Sequence, residues 1–274
     1  KGAQRWLDLG LTRLQPSELM KVAVPMMVSA YLGKRYIPPK FTHILATLAL
    51  ILMPVLLIVK QPDLGTAILI FASGCFVLFL AGLRKRYLIS AFLMAVAAIP
   101  SLWFFVMRDY QKQRVLTLLS PEDDKLGAGW NIIQSTTAIG SGGLNGKGWT
   151  LGTQSQLNFL PESHTDFIIA VLAEEFGLIG VLTLCAAYLL LIGRCMVIAL
   201  NSQSQFGRLI AGSLSLTFFI YVFVNMSMVS GILPVVGVPL PLISYGGTAI
   251  VTLFLGFGIL MAISTEPKRI RIEL

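Results

Sequence analysis

The sequence predicts an all-α polytopic membrane protein: one integral membrane domain over 1–274 with a large extracytoplasmic loop at 107–165. Three observations lead there. The chain is 55% hydrophobic and only 12% charged, against roughly 25% charged residues in soluble domains. Seven stretches reach or approach the run of about 20 apolar residues that crosses hydrocarbon. Lys and Arg concentrate in alternate connections, the asymmetry that orients membrane proteins. A soluble fold of this composition would expose apolar patches large enough to aggregate.

The seven stretches run over 17–33, 41–59, 64–83, 87–106, 166–193, 208–231 and 241–263. The first is the weakest, being short and interrupted by Pro25. All should be helices, because lipid offers backbone groups no partner outside their own segment. One set of connections holds Lys34, Arg35 and Lys40, then Arg84, Lys85 and Arg86, then Arg194 and Arg208, and the tail adds Lys268, Arg269 and Arg271. The opposite short loops hold Lys60 and, over 232–240, no charge. The basic set and the C-terminus are therefore expected in the cytoplasm, with the N-terminal stretch and 107–165 outside. A start outside, with a polar opening at Lys1, Arg5 and Trp6 and no initiator Met, leads to the expectation of upstream helices.

The formal net charge is +8, which suits nucleic acid or an anionic membrane surface. No basic stripe with interleaved aromatics occurs, so nucleic acid is excluded and membrane lipids are the expected partner. Cys75, Cys185 and Cys195 lie in apolar runs without metal spacing and read as small apolar fillers. Acids are distributed unevenly. Only Glu266 and Glu273 fall in cytoplasmic segments, and the other eleven of thirteen lie at or just inside the outer face.

The outer loop opens with an amphipathic stretch (113–119), continues through Glu122, Asp123 and Asp124, and has a glycine-rich centre at 140–152. That centre is not a P-loop: Ser141 stands five before Gly146, and Gly148 follows Lys147 where Ser or Thr is required. It reads as a flexible substrate-contacting loop or a plain linker.

Several polar clusters sit at predicted helix starts. Residues 161–166, Pro-Glu-Ser-His-Thr-Asp, precede the fifth span. Asp166 is either a helix cap or a carboxylate base held at the membrane edge, with His164 as a second titratable neighbour. Glu18 and Lys21, three apart at the first span, share a helix face. They form an interfacial ion pair of little value or a functional pair a turn inside the membrane. Arg5 and Arg13, just upstream, suit a pyrophosphate. Asp63, in Gln61-Pro62-Asp63, is an N-cap or a second outer-face carboxylate that orients Lys21, a sugar hydroxyl or a metal. Glu174 lies about 12 Å deeper than Asp166 and needs a partner or a cavity. With Glu175 it reads as a buried brace between helices or as chemistry. The Pro- and Gly-broken 236–247 segment lines a cavity or is a kinked packing element.

Together these segments resemble the SEDS family (shape, elongation, division and sporulation), and its rod-shape-determining branch more than its division branch. The matching motifs are Arg5-Trp6, QPSELMK at 15–21, QPDLG at 61–65, the GSGGLNGKGW run, FLPESHTDFI at 159–168, AEEFGLIG at 173–180 and PLPLISYGG at 239–247. Each is weak alone; in family order along nearly the whole chain they are specific. The resemblance implies the last seven helices of a ten-helix fold in a bacterial cytoplasmic (inner) membrane. It implies a peptidoglycan glycosyltransferase acting on lipid II for cell elongation and shape. A class B penicillin-binding protein, the transpeptidase, and other elongation-complex membrane proteins are the implied partners. It makes Asp166 the catalytic carboxylate and gives Glu18, Lys21 and Asp63 positions important for activity.

The expected chemistry is a single inverting displacement. Asp166 takes the acceptor hydroxyl proton, and the pyrophosphate leaves with its charge met by Lys21, an Arg, or a divalent cation such as Mg or Mn. No cofactor is required by the sequence; Asp166 and Asp63 are the candidate ligands if a metal takes part. A lipid II flippase is the main rival, expected to carry ionisable groups along a midplane path. A scaffold for a partner and an O-antigen-ligase-like enzyme follow.

Overall fold

The computed structural model describes residues 6–8, 10, 13–124, 127–156 and 162–266. The chain divides into two units. One comprises Lys1–Leu83, Leu189–Ile220 and Gly246–Leu274; the other comprises Arg84–Tyr188 and Tyr221–Tyr245.

The first unit opens with a short antiparallel hairpin, β1 (Leu7–Asp8) and β2 (Arg13–Leu14), registered Leu7 to Leu14 and Asp8 to Arg13. Helix α1 (Pro16–Gly33) starts with Pro at its first turn, where a missing N–H costs nothing and φ is already helical. Helices α2 (Phe41–Lys60) and α3 (Leu64–Leu80) follow. Helix α2 buries Ile44, Thr47, Ile51, Val55 and Ile58 at helical spacing and leaves Leu45, Leu52, Met53, Leu56 and Leu57 exposed. An apolar exposed face fits a helix bathed in lipid. Close helix approach then depends on small residues: a Cβ on Gly74 of α3 would lie 2.6 Å from the Ile51 side chain.

Helix α10 (Gly247–Ser264) and the portions of α8 (Ile168–Asn201) and α9 (Gln205–Val229) that fall in this unit complete it. Val22, Cys195, Ala199, Ile210, Ala211, Leu214 and Leu260 form one buried cluster, so Cys195 is the apolar filler expected. Ser213 donates to the Ser73 carbonyl at 2.7 Å. Gln205 donates to the Leu32 and Arg35 carbonyls, tying the start of α9 to the C-terminal end of α1.

The second unit holds α4 (Lys85–Ser101), which runs into a π-helical turn at Leu102–Val106, then α5 (Asp109–Leu119), a 3₁₀ turn at Pro121–Asp124, α6 (Ala128–Gly142) and α7 (Thr153–Gln156). The start of α8, the end of α9 and the segment 230–245 belong to it as well. The 107–165 segment is therefore largely folded among its described residues. Its amphipathic start is α5, and its acidic patch is the 3₁₀ turn, tied back where Thr117 donates to Asp124 at 3.3 Å.

The glycine-rich run is built into α8. Gly177 has φ 65 and ψ −163 and interrupts that helix. The break strands the carbonyls of Glu174 and Glu175 and the amides of Leu178 and Ile179. The run supplies each missing partner: Lys147 and Gly148 amides donate to Glu174 and Glu175 carbonyls at 3.0 Å, and Leu178 and Ile179 amides donate to Gly143 and Leu144 carbonyls at 2.9 and 3.2 Å. A Cβ at Gly142, Gly146 or Gly177 would strike backbone atoms across this seam. The glycines permit close approach of two backbones, where a flexible loop or a linker was expected.

Each of the seven predicted spans contains a helix, the last beginning at Gly247 where 241 was expected. Five helices (Phe41–Lys60, Lys85–Phe105, Ile168–Asn201, Gln205–Val229 and Gly247–Ser264) are long and apolar enough to cross a membrane. Helix α3 is apolar but 17 residues long, and α1 carries Glu18 and Lys21.

Candidate active site

Asp166 lies in the turn ahead of α8, and its neighbours fix the backbone there. The Thr165 and Phe167 amides donate to the Glu162 carbonyl at 3.1 and 3.3 Å, and the Thr165 hydroxyl donates to the Glu162 carboxylate at 2.8 Å. Three consecutive carbonyls are then held from outside the turn. The Tyr245 amide donates to His164 at 3.0 Å, the Ser244 hydroxyl to Thr165 at 2.5 Å, and the Asn225 carboxamide to Asp166 at 2.9 Å. The broken 236–247 segment, open in sequence to a cavity role or a packing role, thus braces the turn.

The side chain of Asp166 is treated differently. Helix α8 begins at Ile168, so Asp166 stands one residue too early to cap it, and no described residue donates a hydrogen bond to its carboxylate. Gly237, at φ 80, faces it: a Cβ there would lie 3.4 Å from Asp166 Oδ2. Burial pushes the Asp166 carboxyl above the usual carboxylate range; Glu162 adds to the rise and Arg114 opposes it. Arg114 is itself placed by donating to the Val235 carbonyl at 3.0 Å. His164 is exposed in the same turn. Asn225 and Arg114 were not singled out from sequence, and Gly237 and Ser244 were read only as part of the broken 236–247 segment. A lone Asn in an apolar span was the signal available for Asn225.

In the first unit, Lys21 Nζ lies 2.6 Å from both oxygens of Glu18. Their side chains are 14% and 9% exposed, so the pair is largely desolvated and is no loose surface bridge. Asp63 is buried and close enough for its charge to act on Lys21. Its carboxylate accepts from the Thr66 amide at 3.3 Å, making it the N-cap of α3. Glu18, Lys21 and Asp63 therefore gather in one place. Arg13 lies in β2 with its backbone registered to Asp8; Arg5 lies outside the described residues.

Glu174 is fully buried. Its Oε1 accepts from Lys147 Nζ at 2.8 Å, Thr153 Oγ1 at 3.2 Å and the Gln154 amide at 3.0 Å. This is a brace between α8 and residues 147–154, which gives Glu174 its partners. Among the described residues no three His, Cys, Asp or Glu side chains gather as metal ligands. Neither Asp166 nor Asp63 belongs to such a group.

The chain is similar to known proteins over nearly its whole length. The chain is 61% identical over 268 residues to the peptidoglycan glycosyltransferase MrdB of Escherichia coli, covering 98% of this chain and 72% of that protein. It is 42% identical to a probable peptidoglycan glycosyltransferase FtsW of Geobacter sulfurreducens, covering 98% of this chain and 72% of that protein. Among solved structures it is similar to a chain of a peptidoglycan synthase complex that coordinates polymerization and crosslinking. There the TM-score is 0.82 at 30% identity, with 96% of this chain and 74% of that one covered. It is also similar to the rod shape determining protein RodA of Thermus thermophilus, with TM-score 0.67, 27% identity, and 98% and 72% covered. The FtsW/RodA/SpoVE cell cycle family matches over residues 1–269, and the chain belongs to that family, the SEDS family.

Proposed function

We propose that this chain polymerises lipid II into glycan strands, with Asp166 as the base. It is a multi-pass membrane protein and a peptidoglycan glycosyltransferase. The observation that carries the role of Asp166 is its carboxylate: held on a fixed backbone, outside the span, and accepting no hydrogen bond from a described residue. Asp63, by contrast, spends an oxygen on capping α3. A carboxyl raised above its usual range by burial is, once ionised, a stronger base than a solvated one.

The reaction is a single displacement. Asp166 accepts the proton of the acceptor sugar hydroxyl, that oxygen forms the new bond at the donor anomeric carbon, and the bond to lipid pyrophosphate breaks. The donor carries its own leaving group, so no nucleotide and no strong acid are needed. Inversion at the anomeric carbon follows from one attack with one base. Lys21, its ammonium set by Glu18 and influenced by Asp63, is assigned the pyrophosphate charge; Arg13, Arg5 and His164 remain candidates for substrate contacts. We assign the protein to the bacterial cytoplasmic membrane with a cytoplasmic C-terminus. Its partner is assigned as a class B penicillin-binding protein, a reading supported by the likeness to a synthase complex.

The test separates enzyme from transporter. The protein with its native flanking sequence and transpeptidase partner is given purified lipid II, in detergent and in liposomes. Glycan polymer is expected; lipid II translocation without polymer would overturn the proposal in favour of a flippase.

A further inference from the structure

We infer that Asn225 is a positioning residue for the reaction: its carboxamide holds Asp166 and the glycine wall facing it in one arrangement. The inference rests on the proposed role of Asp166. Asn225 lies on α9, wholly buried in a helix otherwise rich in apolar residues. A buried carboxamide is tolerated only where its polar atoms are used. Its Nδ2 donates to two backbone carbonyls from different segments, Asp166 at 2.9 Å and Val238 at 2.7 Å. Both neighbours are acceptors, so the nitrogen is the atom that faces them.

Each bond has a specific consequence. The Asp166 carbonyl stands outside the hydrogen-bond ladder of α8, because the Ala170 amide turns to Phe167 at 3.0 Å. Asn225 supplies it with a donor, which pins the Cα that carries the carboxylate. Val238 follows Gly237, whose missing side chain leaves space beside Asp166 Oδ2. One planar group therefore sets the position of the base and the distance to the backbone in front of it. The two hydrogen bonds leave the group no freedom to rotate. The Oδ1 of Asn225 is buried without a hydrogen-bond partner among the described residues, so the amide is retained for its donors. Ser244 and Tyr245, from the 236–247 segment itself, hold the two preceding carbonyls; Asn225 adds, from α9, one bond to Asp166 itself and one to Val238 beside Gly237.

The test uses lipid II polymerisation by the full protein with its transpeptidase partner. Wild type, Asp166→Asn, Asn225→Ala and the near-isosteric Asn225→Asp are compared across pH, with thermal unfolding followed in parallel. Displacement of a catalytic group by about 1 Å can cost about 100-fold in rate. The expected result is a fall of that order in kcat in either folded Asn225 variant, with KM for lipid II within about threefold of wild type. The acid limb of kcat should move as well, because a loosened carboxyl meets water, Glu162 and Arg114 differently. Wild-type kcat in a folded variant overturns the inference. So does an effect confined to KM, or a fall equal at every pH. Failure of both variants to fold overturns it too, by making Asn225 a folding residue. No polymer from wild type, or polymer from Asp166→Asn, would instead overturn the reading on which the inference rests.

Discussion

Lys147 Nζ lies 2.8 Å from Glu174 Oε1, and the carboxylate it meets is wholly buried in α8. The Lys147 side chain is only 28% exposed. Removing one partner of a buried pair leaves an uncompensated charge and costs about 3–5 kcal/mol. Lys147→Met strands that buried carboxylate and should therefore lower stability toward that range, softened by Thr153 and the Gln154 amide, which still serve it. Glu174→Ala should also lower stability, by taking the acceptor from those donors and leaving a cavity, although the lysine it strands is partly exposed. Unfolding in detergent by heat or denaturant checks this. Unchanged stability in Glu174→Ala would remove the brace.

Gly177 should tolerate no side chain. Its φ of 65 disfavours any L residue, and a Cβ would collide with the Gly146 amide and the Leu144 carbonyl. Gly177→Ala is expected to cost more than about 1 kcal/mol and to expose 143–148 to protease. Limited proteolysis of the variant beside wild type reads this out; equal cleavage would contradict the seam.

Asp63 has two jobs that substitution can separate. Asn caps helices as well as Asp, whereas Ala costs about 1 kcal/mol. Asp63→Asn should keep thermal stability and lose activity through the missing charge beside Lys21, while Asp63→Ala loses both. Full activity in Asp63→Asn would reduce Asp63 to a cap.

Burial raises the Asp166 carboxyl above its ordinary value, and the sign has two consequences. Activity needs the ionised form, so kcat should fall with acidification at a higher pH than an ordinary carboxylate, about 3.9, would allow. For stability, the native state binds the proton more tightly than the unfolded chain. Ionising Asp166 therefore costs stability as pH rises through the window between the two values. Asp166→Asn should remove that cost and be at least as stable as wild type at neutral pH. A marked loss of stability there would mean that the carboxylate is structural.

The helices were legible because lipid imposes length and apolarity on them, and Pro, Gly and basic residues mark their ends. The gathering of Glu18 and Lys21 was legible from spacing three along a helix. The difference between Asp63 and Asp166 was not. Both precede a helix among turn residues, and only the turn geometry, with α8 starting at Ile168, separates a cap from an uncommitted carboxylate. The glycine run was misjudged because its partner is an internal break in α8, and Gly177 in sequence reads as one small residue in an apolar helix. Asn225 acts through backbone carbonyls from two distant segments, which no local pattern records.

The most direct test of the central assignment is polymerisation of purified lipid II by the protein and its transpeptidase partner, wild type beside Asp166→Asn. Polymer from wild type and none from a folded Asp166→Asn variant is expected. Equal polymer from both would contradict Asp166 as the base and move the search to Asp63 and Glu18.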